Sequence, residues 1–141
     1  MNQIRPVALC VFLKNDRILV FEGHDPIKGE TYYRPLGGGI EFGESGEVAV
    51  RREIREELHS EIDELKHLGF LENIFVHSGN ASHEIVTIYD GVLKESGLYD
   101  QAVMEVVEAN GEIVRAIWKR LDEFGVGKAI LYPEGLLDLL V

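Results

Sequence analysis

The stretch GGGIEFGESGEVAVRREIREELHSEI, residues 37–62, carries the strongest structural signal in the chain. Ser45 is a suitable N-cap, Glu47 complements the helix dipole in the first turn, and good helix formers continue as far as Leu58. The stretch therefore predicts a helix that begins near Gly46, directly after a glycine-rich segment.

Three carboxylates share one face of this predicted helix. At about 100° per residue, Glu57 lies about 40° to one side of Glu53 and Glu56 about 60° to the other. Each pair repels by about 1–3 kcal/mol at separations of roughly 6 Å. A hard cation such as Mg²⁺ or Mn²⁺ bound between the carboxylates would attract all of them and outweigh this repulsion. A solvated acidic face explains the same pattern, so the glutamates alone leave both interpretations open.

Three consecutive glycines precede the helix. We expect Gly37, Gly38 and Gly39 in a loop between a strand and the helix, because glycine adopts unusual dihedrals and lets a ligand approach the backbone closely. A carbonyl in this loop would add a metal ligand. Ordinary turn chemistry is the alternative explanation.

The spacing of these residues resembles the Nudix box. Gly38, five residues, Glu44, seven residues and then REIREE (residues 52–57) follow the family pattern Gly-x5-Glu-x7-Arg-Glu-(apolar)-x-Glu-Glu. Every charged position matches. The family's next glycine and apolar position fall on His59 and Ser60, where we expect a different C-cap and no lost metal ligand.

The resemblance implies a Nudix-like α/β/α sandwich, a mixed β-sheet flanked by the Nudix helix and a C-terminal helix. It also implies Mg²⁺-dependent (Mn²⁺ as an alternative) hydrolysis of a phosphoanhydride bond in a nucleoside diphosphate linked to another group. The metal ligands it implies are Gly38 through its carbonyl, Glu53, Glu56 and Glu57. Arg52 would orient a box carboxylate, and Glu44 would support the loop and helix.

The residue that accepts a proton from the attacking water varies within the family. Glu53 is the first candidate and Glu57 the second. An acid outside the box, Glu84, Glu105 or Glu108, is the third option.

Apolar runs on both sides of the box predict the rest of the fold. Val50, Ile54 and Leu58 form a stripe that would dock the helix on a sheet. We expect strands at 7–13, 17–21, 31–34, 65–74, 84–93, 103–107 and 113–118, loops at 23–29 and 76–84, and a short terminal helix in 133–140. The segment 109–112 contains Asn-Gly, which predicts a hairpin.

Substrate contacts are expected outside the acidic face. Arg34, Gly37, Gly39, His83 and Glu84 are the candidate substrate-binding residues. Arg5 is a further candidate for phosphate or ribose, and the aromatic candidates for base stacking are Tyr32, Tyr33, Phe70, Phe75 and Tyr89; core packing is the alternative for each.

Length, charge and cysteine content restrict the number of domains, the binding partners and the cellular location. The chain has 141 residues, a size typical of one domain, and we assign residues 1–141 to a single Nudix hydrolase domain. A net charge of −11 opposes binding to a nucleic-acid polymer. A lone cysteine in an apolar run, Cys10, and the lack of a signal peptide or membrane span predict a cytoplasmic protein. The residues leave a homodimer open.

Three functions fit these observations. The first is a pyrophosphohydrolase acting on a small nucleotide: a nucleotide sugar such as ADP-ribose, a nucleoside triphosphate or a dinucleoside polyphosphate. The second is a non-catalytic nucleotide-binding sensor of Nudix shape, which the intact box carboxylates disfavour. The third is an acidic scaffold without metal, which a metal titration of thermal stability separates from the other two.

Overall fold

The computed structural model describes residues 2–108 and 110–140. Within these ranges the chain forms nine strands and two α-helices, with short 3₁₀ segments at Ser96–Asp100 and Leu121–Glu123. The elements are β1 (Ile4–Lys14), β2 (Arg17–Asp25), β3 (Glu30–Arg34), β4 (Leu36–Gly39), α1 (Gly46–Leu58), β5 (Ile62–His77), β6 (Asn80–Leu93), β7 (Val103–Val107), β8 (Ile113–Arg120), β9 (Ile130–Leu131) and α2 (Leu136–Leu139).

Strand β1 is the centre of a mixed sheet. It pairs in parallel with β6, and in antiparallel fashion with β4 and with the start of β2. Its residues Val7 to Phe12 are all buried, because both faces of the strand are covered and a continuous apolar run is then favoured. Cys10 lies within this run and is fully buried, which confirms that it is a core residue.

The two faces of β1 pack into different apolar clusters. Ala8, Cys10 and Phe12 pack with the buried residues of α1, whereas Val7, Leu9 and Val11 pack with Leu136 of α2. Helix α1 therefore covers one face of the sheet and α2 covers the other. The expected α/β/α sandwich is confirmed, although α2 is a single turn and shorter than the predicted segment.

Helix α1 has the boundaries that its sequence predicts. The Ser45 hydroxyl accepts a hydrogen bond from the Val48 N–H at 3.2 Å, and Val50, Ile54 and Leu58 are buried. The helix ends at His59, which has left-handed dihedrals (φ 55°, ψ 39°) and donates its N–H to the Arg55 carbonyl. A histidine thus provides the C-cap where glycine is more common.

Several predicted loops are strands. Strand β2 continues to Asp25, and β5 and β6 continue to a tight turn whose residues Ser78 and Gly79 have positive φ angles. The predicted loop at 76–84 is therefore wrong in large part, whereas that at 23–29 is wrong for residues 23–25 and correct for the turn at 26–29. Polar residues occupy these strand ends because one face of each strand meets solvent or a cavity rather than core.

The glycine segment 37–39 is also a strand. Gly39, Gly38 and Gly37 lie in register opposite Val7, Ala8 and Leu9 of β1. The expected loop is wrong because the backbone hydrogen bonds of β1 need a partner on this side. A Cβ on Gly37 would lie 2.1 Å from the Ala8 carbonyl oxygen, so glycine permits the close approach of the two strands.

The hairpin between β7 and β8 is confirmed by five paired residues on each strand. Ala109 of the predicted turn lies outside the described residues. None of the helices in the described part of the chain has the length and apolar character needed to cross a bilayer.

Candidate active site

The first half of the site is the contact between α1 and β4. Helix α1 places the Glu53 carboxylate directly over Gly38, where an added Cβ would lie 2.6 Å from Glu53 Cδ and 2.7–2.8 Å from its two oxygens. Gly38 therefore provides the space that this carboxylate occupies. The sequence prediction that Gly38 and Glu53 lie together is consistent with this contact.

Arg52 connects the helix to the segment before it. Its Nε and Nη2 donate to Glu44 at 2.8 and 2.9 Å, Nη1 donates to Glu53 Oε1 at 3.0 Å, and Nη2 also donates to the Gly39 carbonyl at 3.1 Å. Because the guanidinium is planar and has five N–H donors, it can hold all three groups in fixed positions. Neighbouring acids, Glu44 first and then Glu53, raise the pKa of Arg52.

Glu44 fixes the turn that leads into α1. Its Oε1 accepts from the Glu41 N–H at 2.9 Å as well as from Arg52. These hydrogen bonds, that from Arg52 first, lower the pKa of Glu44 to about 2. Glu44 is therefore ionised throughout the neutral range, and its contacts are with Arg52 and the loop backbone.

Glu57 lies in a different environment on the same helix. Its burial, followed by repulsion from Glu53, raises the pKa of the Glu57 carboxyl to about 9, and Arg34 and the Gly37 backbone oppose the rise only in part. Its Oε1 is buried and has no hydrogen-bond partner among the described residues. A buried oxygen without a partner is costly, so this atom is placed to accept a ligand.

Glu56 is the least confined of the three helix carboxylates. Its side chain is 60% exposed, and its Oε2 lies 3.5 Å from Arg52 Nη1. Within residues 2–108 and 110–140, no three His, Cys, Asp or Glu side chains are grouped as a ready-made cation site.

The donor set nevertheless fits a hard divalent cation. The Glu57 Oε1, the neighbouring Glu53 carboxylate and the Gly38 backbone all offer oxygen, which is the ligand atom that Mg²⁺ and Mn²⁺ prefer. A cation beside Glu57 would also compensate the repulsion between Glu53 and Glu57.

A cavity of about 190 Å³ lies on the other side of the Gly38 backbone position, with Gly38 and Arg34 in its lining. Gly38 belongs to its wall and connects it to Glu53. Two of the predicted substrate residues, Arg34 and Glu84, line the cavity, and Arg5 joins them there with its Nη1 3.6 Å from Glu84 Oε2.

The other predicted substrate residues lie elsewhere. The cavity lining includes Glu84 and not His83, because consecutive residues of β6 point to opposite faces of the sheet. The His83 Nε2 is buried and has no hydrogen-bond partner in the described part of the chain. Gly37 faces the β1 backbone, and Gly39 lies beneath the Arg5 guanidinium.

The three candidate proton acceptors outside the box differ in their position relative to the carboxylates of α1. Glu108 contributes to the raised pKa of Glu57 and so lies near it. Glu84 lies across the cavity beside Arg5. Glu105 is exposed on β7.

Of the five aromatic candidates, Tyr32 and Phe75 line the cavity. Tyr33 packs edge-on against Phe124, and Tyr89 packs against the core and His67. Phe70 is 69% exposed.

Sequence reasoning missed several cavity residues: Asp25, Lys28, Glu30, Asn73 and Tyr132. Alternation along β5 would have grouped Asn73, Phe75 and His77 on one face had the strand been extended beyond residue 74. Tyr132 reaches the cavity from the other end of the chain, and no local pattern indicates that contact.

Replacement of Glu57 by glutamine should change the pH dependence of stability in the metal-free protein. The folded-state pKa of about 9 lies above the ordinary value of 4.5, so the folded state retains a proton that the unfolded state loses. The free energy of unfolding of the wild type therefore falls as pH rises from 4.5 to 9. We expect Glu57→Gln in EDTA to raise Tm by roughly 4–8 °C at pH 8 and by little at pH 5.

Glu56→Gln is the matched control for this measurement, because it removes an exposed carboxylate from the next position of the helix. Its Tm should follow that of the wild type at both pH values. Parallel pH profiles for wild type and Glu57→Gln would show that Glu57 does not hold the proton.

The chain is similar in sequence and in fold to known proteins. A sequence model of the NUDIX domain matches residues 3–136. A MutT NUDIX hydrolase from Burkholderia pseudomallei superposes with a TM-score of 0.67 at 21% identity, covering 99% of this chain and 98% of that one. A NUDIX hydrolase from Nitrosomonas europaea superposes with a TM-score of 0.65 at 18% identity, covering 98% of this chain and 86% of that one. The E. coli ORF135 protein superposes with a TM-score of 0.59 at 19% identity, covering 99% of this chain and 89% of that one.

Proposed function

Because this chain belongs to the NUDIX family, we propose that it uses Mg²⁺ to hydrolyse a phosphoanhydride bond in a small nucleoside-diphosphate derivative. Membership of the family implies pyrophosphohydrolase activity. The observation that carries the proposal is the position of Glu57: a buried side chain near Glu53 and Arg34, with an oxygen that has no hydrogen-bond partner among residues 2–108 and 110–140.

The residues that would hold the metal are Glu53, Glu56, Glu57 and the Gly38 carbonyl. When bound, the ion supplies neutralisation of diphosphate oxygens and a lowered pKa for a coordinated water. The Glu56 side chain is exposed beside Arg52, so of the proposed ligands it is the one that can most readily change rotamer to reach a metal.

Arg52 acts as a positioning residue. It joins Glu53 to Glu44 and to the Gly39 carbonyl, so it fixes the helix carboxylate relative to β4. Glu44 keeps the guanidinium in place and holds the entry to α1. Both residues act through Glu53 rather than on the substrate.

Glu53 is the proposed acceptor of the proton from the attacking water. Its Oε1 receives the hydrogen bond from Arg52, which leaves Oε2 for that role. Glu57 is the second candidate, because it must lose its own proton before it can bind a metal or accept another. Of the candidate acids outside the box, Glu108 is the one whose charge contributes to the raised pKa of Glu57, and Glu84 lines the cavity.

The substrate's phosphates would lie between the cavity and the helix. Arg5 and Arg34 are the cavity guanidinium groups, and such groups bind phosphate oxygens in a bidentate manner. They offset locally the net charge of −11 that would otherwise repel a polyphosphate.

A substrate panel tests the proposal. Purified protein is assayed with ADP-ribose, nucleoside triphosphates and diadenosine polyphosphates, with Mg²⁺ and with EDTA, and the released products are quantified. We expect metal-dependent cleavage of at least one class, and hydrolysis in ¹⁸O-labelled water then identifies the attacked phosphorus. Lack of cleavage of every class at saturating Mg²⁺ and Mn²⁺ would overturn the proposed function.

A further inference from the structure

A groove of about 520 Å³ lies at the end of β1 that is far from the contact between α1 and β4. Lys14 and Arg17, on either side of the turn from β1 to β2, line it together with Trp118 of β8. Lys14 follows Ala8, the partner of Gly38, by six residues of strand, which corresponds to about 20 Å. The groove and the candidate active site are therefore separate features of the fold.

Three cations lie side by side across the strands at this end of the sheet. Lys14 of β1 is directly opposite Arg17 of β2, and Arg17 is directly opposite Arg120 of β8. Side chains that are directly opposite on neighbouring strands point to the same face, and like charges in such positions repel. An anion beside this row would offset the repulsion.

Protein carboxylates pair with the two outer cations of the row. Lys14 Nζ lies 3.3 Å from Asp100 Oδ1, and the Arg120 guanidinium pairs with Asp122. Arg17, the central cation, has no carboxylate oxygen within 4 Å among residues 2–108 and 110–140. In a chain with a net charge of −11, an arginine without a carboxylate partner between two other cations is available to an external anion.

The rest of the groove adds hydrogen-bond donors and aromatic surface. Asn15 and Gln101, which carry side-chain amides, belong to its lining, and Asp100 is the one acid in the lining that the described part of the chain provides. The rings of Tyr99 and Trp118 are stacked, with centroids 5.2 Å apart and planes at 27°. A ligand in the groove therefore meets two cations, two amides and the surface of two rings.

From these observations we propose that the groove binds the phosphate group of a small molecule, with Arg17 as its principal ligand-binding residue. A guanidinium presents paired N–H groups that match two oxygens of a phosphate. The neighbouring Lys14 adds a second positive charge. The volume of the groove lies within the range of about 300–1,000 Å³ that is usual for small-molecule sites. This site is additional to the proposed hydrolysis and uses none of the residues assigned to it.

The single tryptophan of the chain provides a reporter within the groove. The Trp118 indole N–H, which donates to the Leu98 carbonyl at 3.2 Å, gives the only indole resonance in a ¹H–¹⁵N spectrum. Metal-free protein in EDTA is titrated with inorganic phosphate, phenyl phosphate and acetate at constant ionic strength. We expect a saturable shift of this resonance with a phosphate compound, at an affinity at least about tenfold above that for acetate.

The two phosphate compounds distinguish the sources of the phosphate group. Tighter binding of phenyl phosphate would identify the ligand as a phosphate ester whose ring contacts Tyr99 and Trp118. Equal or weaker binding of phenyl phosphate would identify it as the free phosphate ion. Both results support a phosphate site in the groove.

Variants of Arg17 then assign the anion to the row of cations. Arg17→Gln should weaken phosphate binding at least about tenfold, because it removes both the charge and the paired donors. Arg17→Lys keeps the charge without the paired donors and should weaken binding by a factor no larger than that. Because Arg17 is exposed, we expect both variants to fold.

Arg55→Gln is the matched control for the loss of one positive charge. Arg55 is an exposed arginine of α1 that pairs with Glu61, away from the groove. Its removal changes the net charge by the same amount as Arg17→Gln and should leave the phosphate affinity unchanged.

Four results would overturn the proposed phosphate site. They are an indole resonance that neither phosphate compound moves, an affinity for acetate equal to that for phosphate, unchanged affinity in both Arg17 variants, and an equal loss in Arg55→Gln. The last would show that binding responds to net charge rather than to the groove. Nucleotide cleavage with Mg²⁺ is measured separately, so the failure of one proposal leaves the other standing.

Discussion

At saturating Mg²⁺, Glu57→Gln and Glu53→Gln should each lower kcat at least about a hundredfold, as expected for a lost metal ligand or general base. Glutamine preserves the size of each side chain but removes the charge. Glu57 carries the buried oxygen for which the described residues provide no hydrogen-bond partner. Glu53 lies against Gly38 and accepts a hydrogen bond from Arg52. Steady-state rates on the best substrate of the panel measure the effect.

Glu47→Gln is the control on the same helix. Glu47 is exposed and pairs with Arg51 on the surface, and an exposed ion pair contributes little. Its kcat should stay within about twofold of the wild type. Near-normal kcat in both Glu57→Gln and Glu53→Gln would refute the assignment of the helix carboxylates.

Gly38→Ala should reduce kcat by about a hundredfold with little change in Tm. The added methyl group would meet the Glu53 carboxylate at 2.6 Å, and that carboxylate is the end of a flexible side chain. The fold can therefore persist while the carboxylate moves, and a displacement of about 1 Å in a reacting group is enough for a loss of this size. Paired measurements of kcat and Tm test the prediction.

Gly97→Ala is the matched control, because a Cβ at Gly97 would have no atom of the described part of the chain within 4 Å. It should change neither quantity. Gly37→Ala provides the contrast: its methyl group would collide with the β1 backbone, so Tm should fall with activity. Wild-type kcat in Gly38→Ala would show that the Glu53 position over β4 is irrelevant to turnover.

The sequence predicted the helix and its acidic face because these features depend on local interactions. The Ser45 cap and the stripe of Val50, Ile54 and Leu58 lie within one segment of chain. The predicted strands at 7–13 and 17–21 depend on local signals in the same way, because Asn15 and Asp16 between them tolerate the positive φ angles that both adopt in the tight turn.

The remaining features depend on contacts between distant segments. Strand β4 forms because β1 needs a partner, and a run of glycines gives no strand signal. The raised pKa of Glu57 depends on how deeply the helix face is buried, which periodicity does not reveal. The cavity combines β5 with Tyr132 from near the end of the chain, so its lining could not be read from local pattern.

The most direct test of the account is a crystal structure grown with Mn²⁺, in which anomalous scattering locates the ion. We predict a peak bound by oxygens of Glu53, Glu56, Glu57 and the Gly38 carbonyl. Mn²⁺ bound only elsewhere, or an Mn²⁺-saturated crystal with Glu57 Oε1 still without a ligand, would contradict the central claim that this helix face gathers a divalent cation.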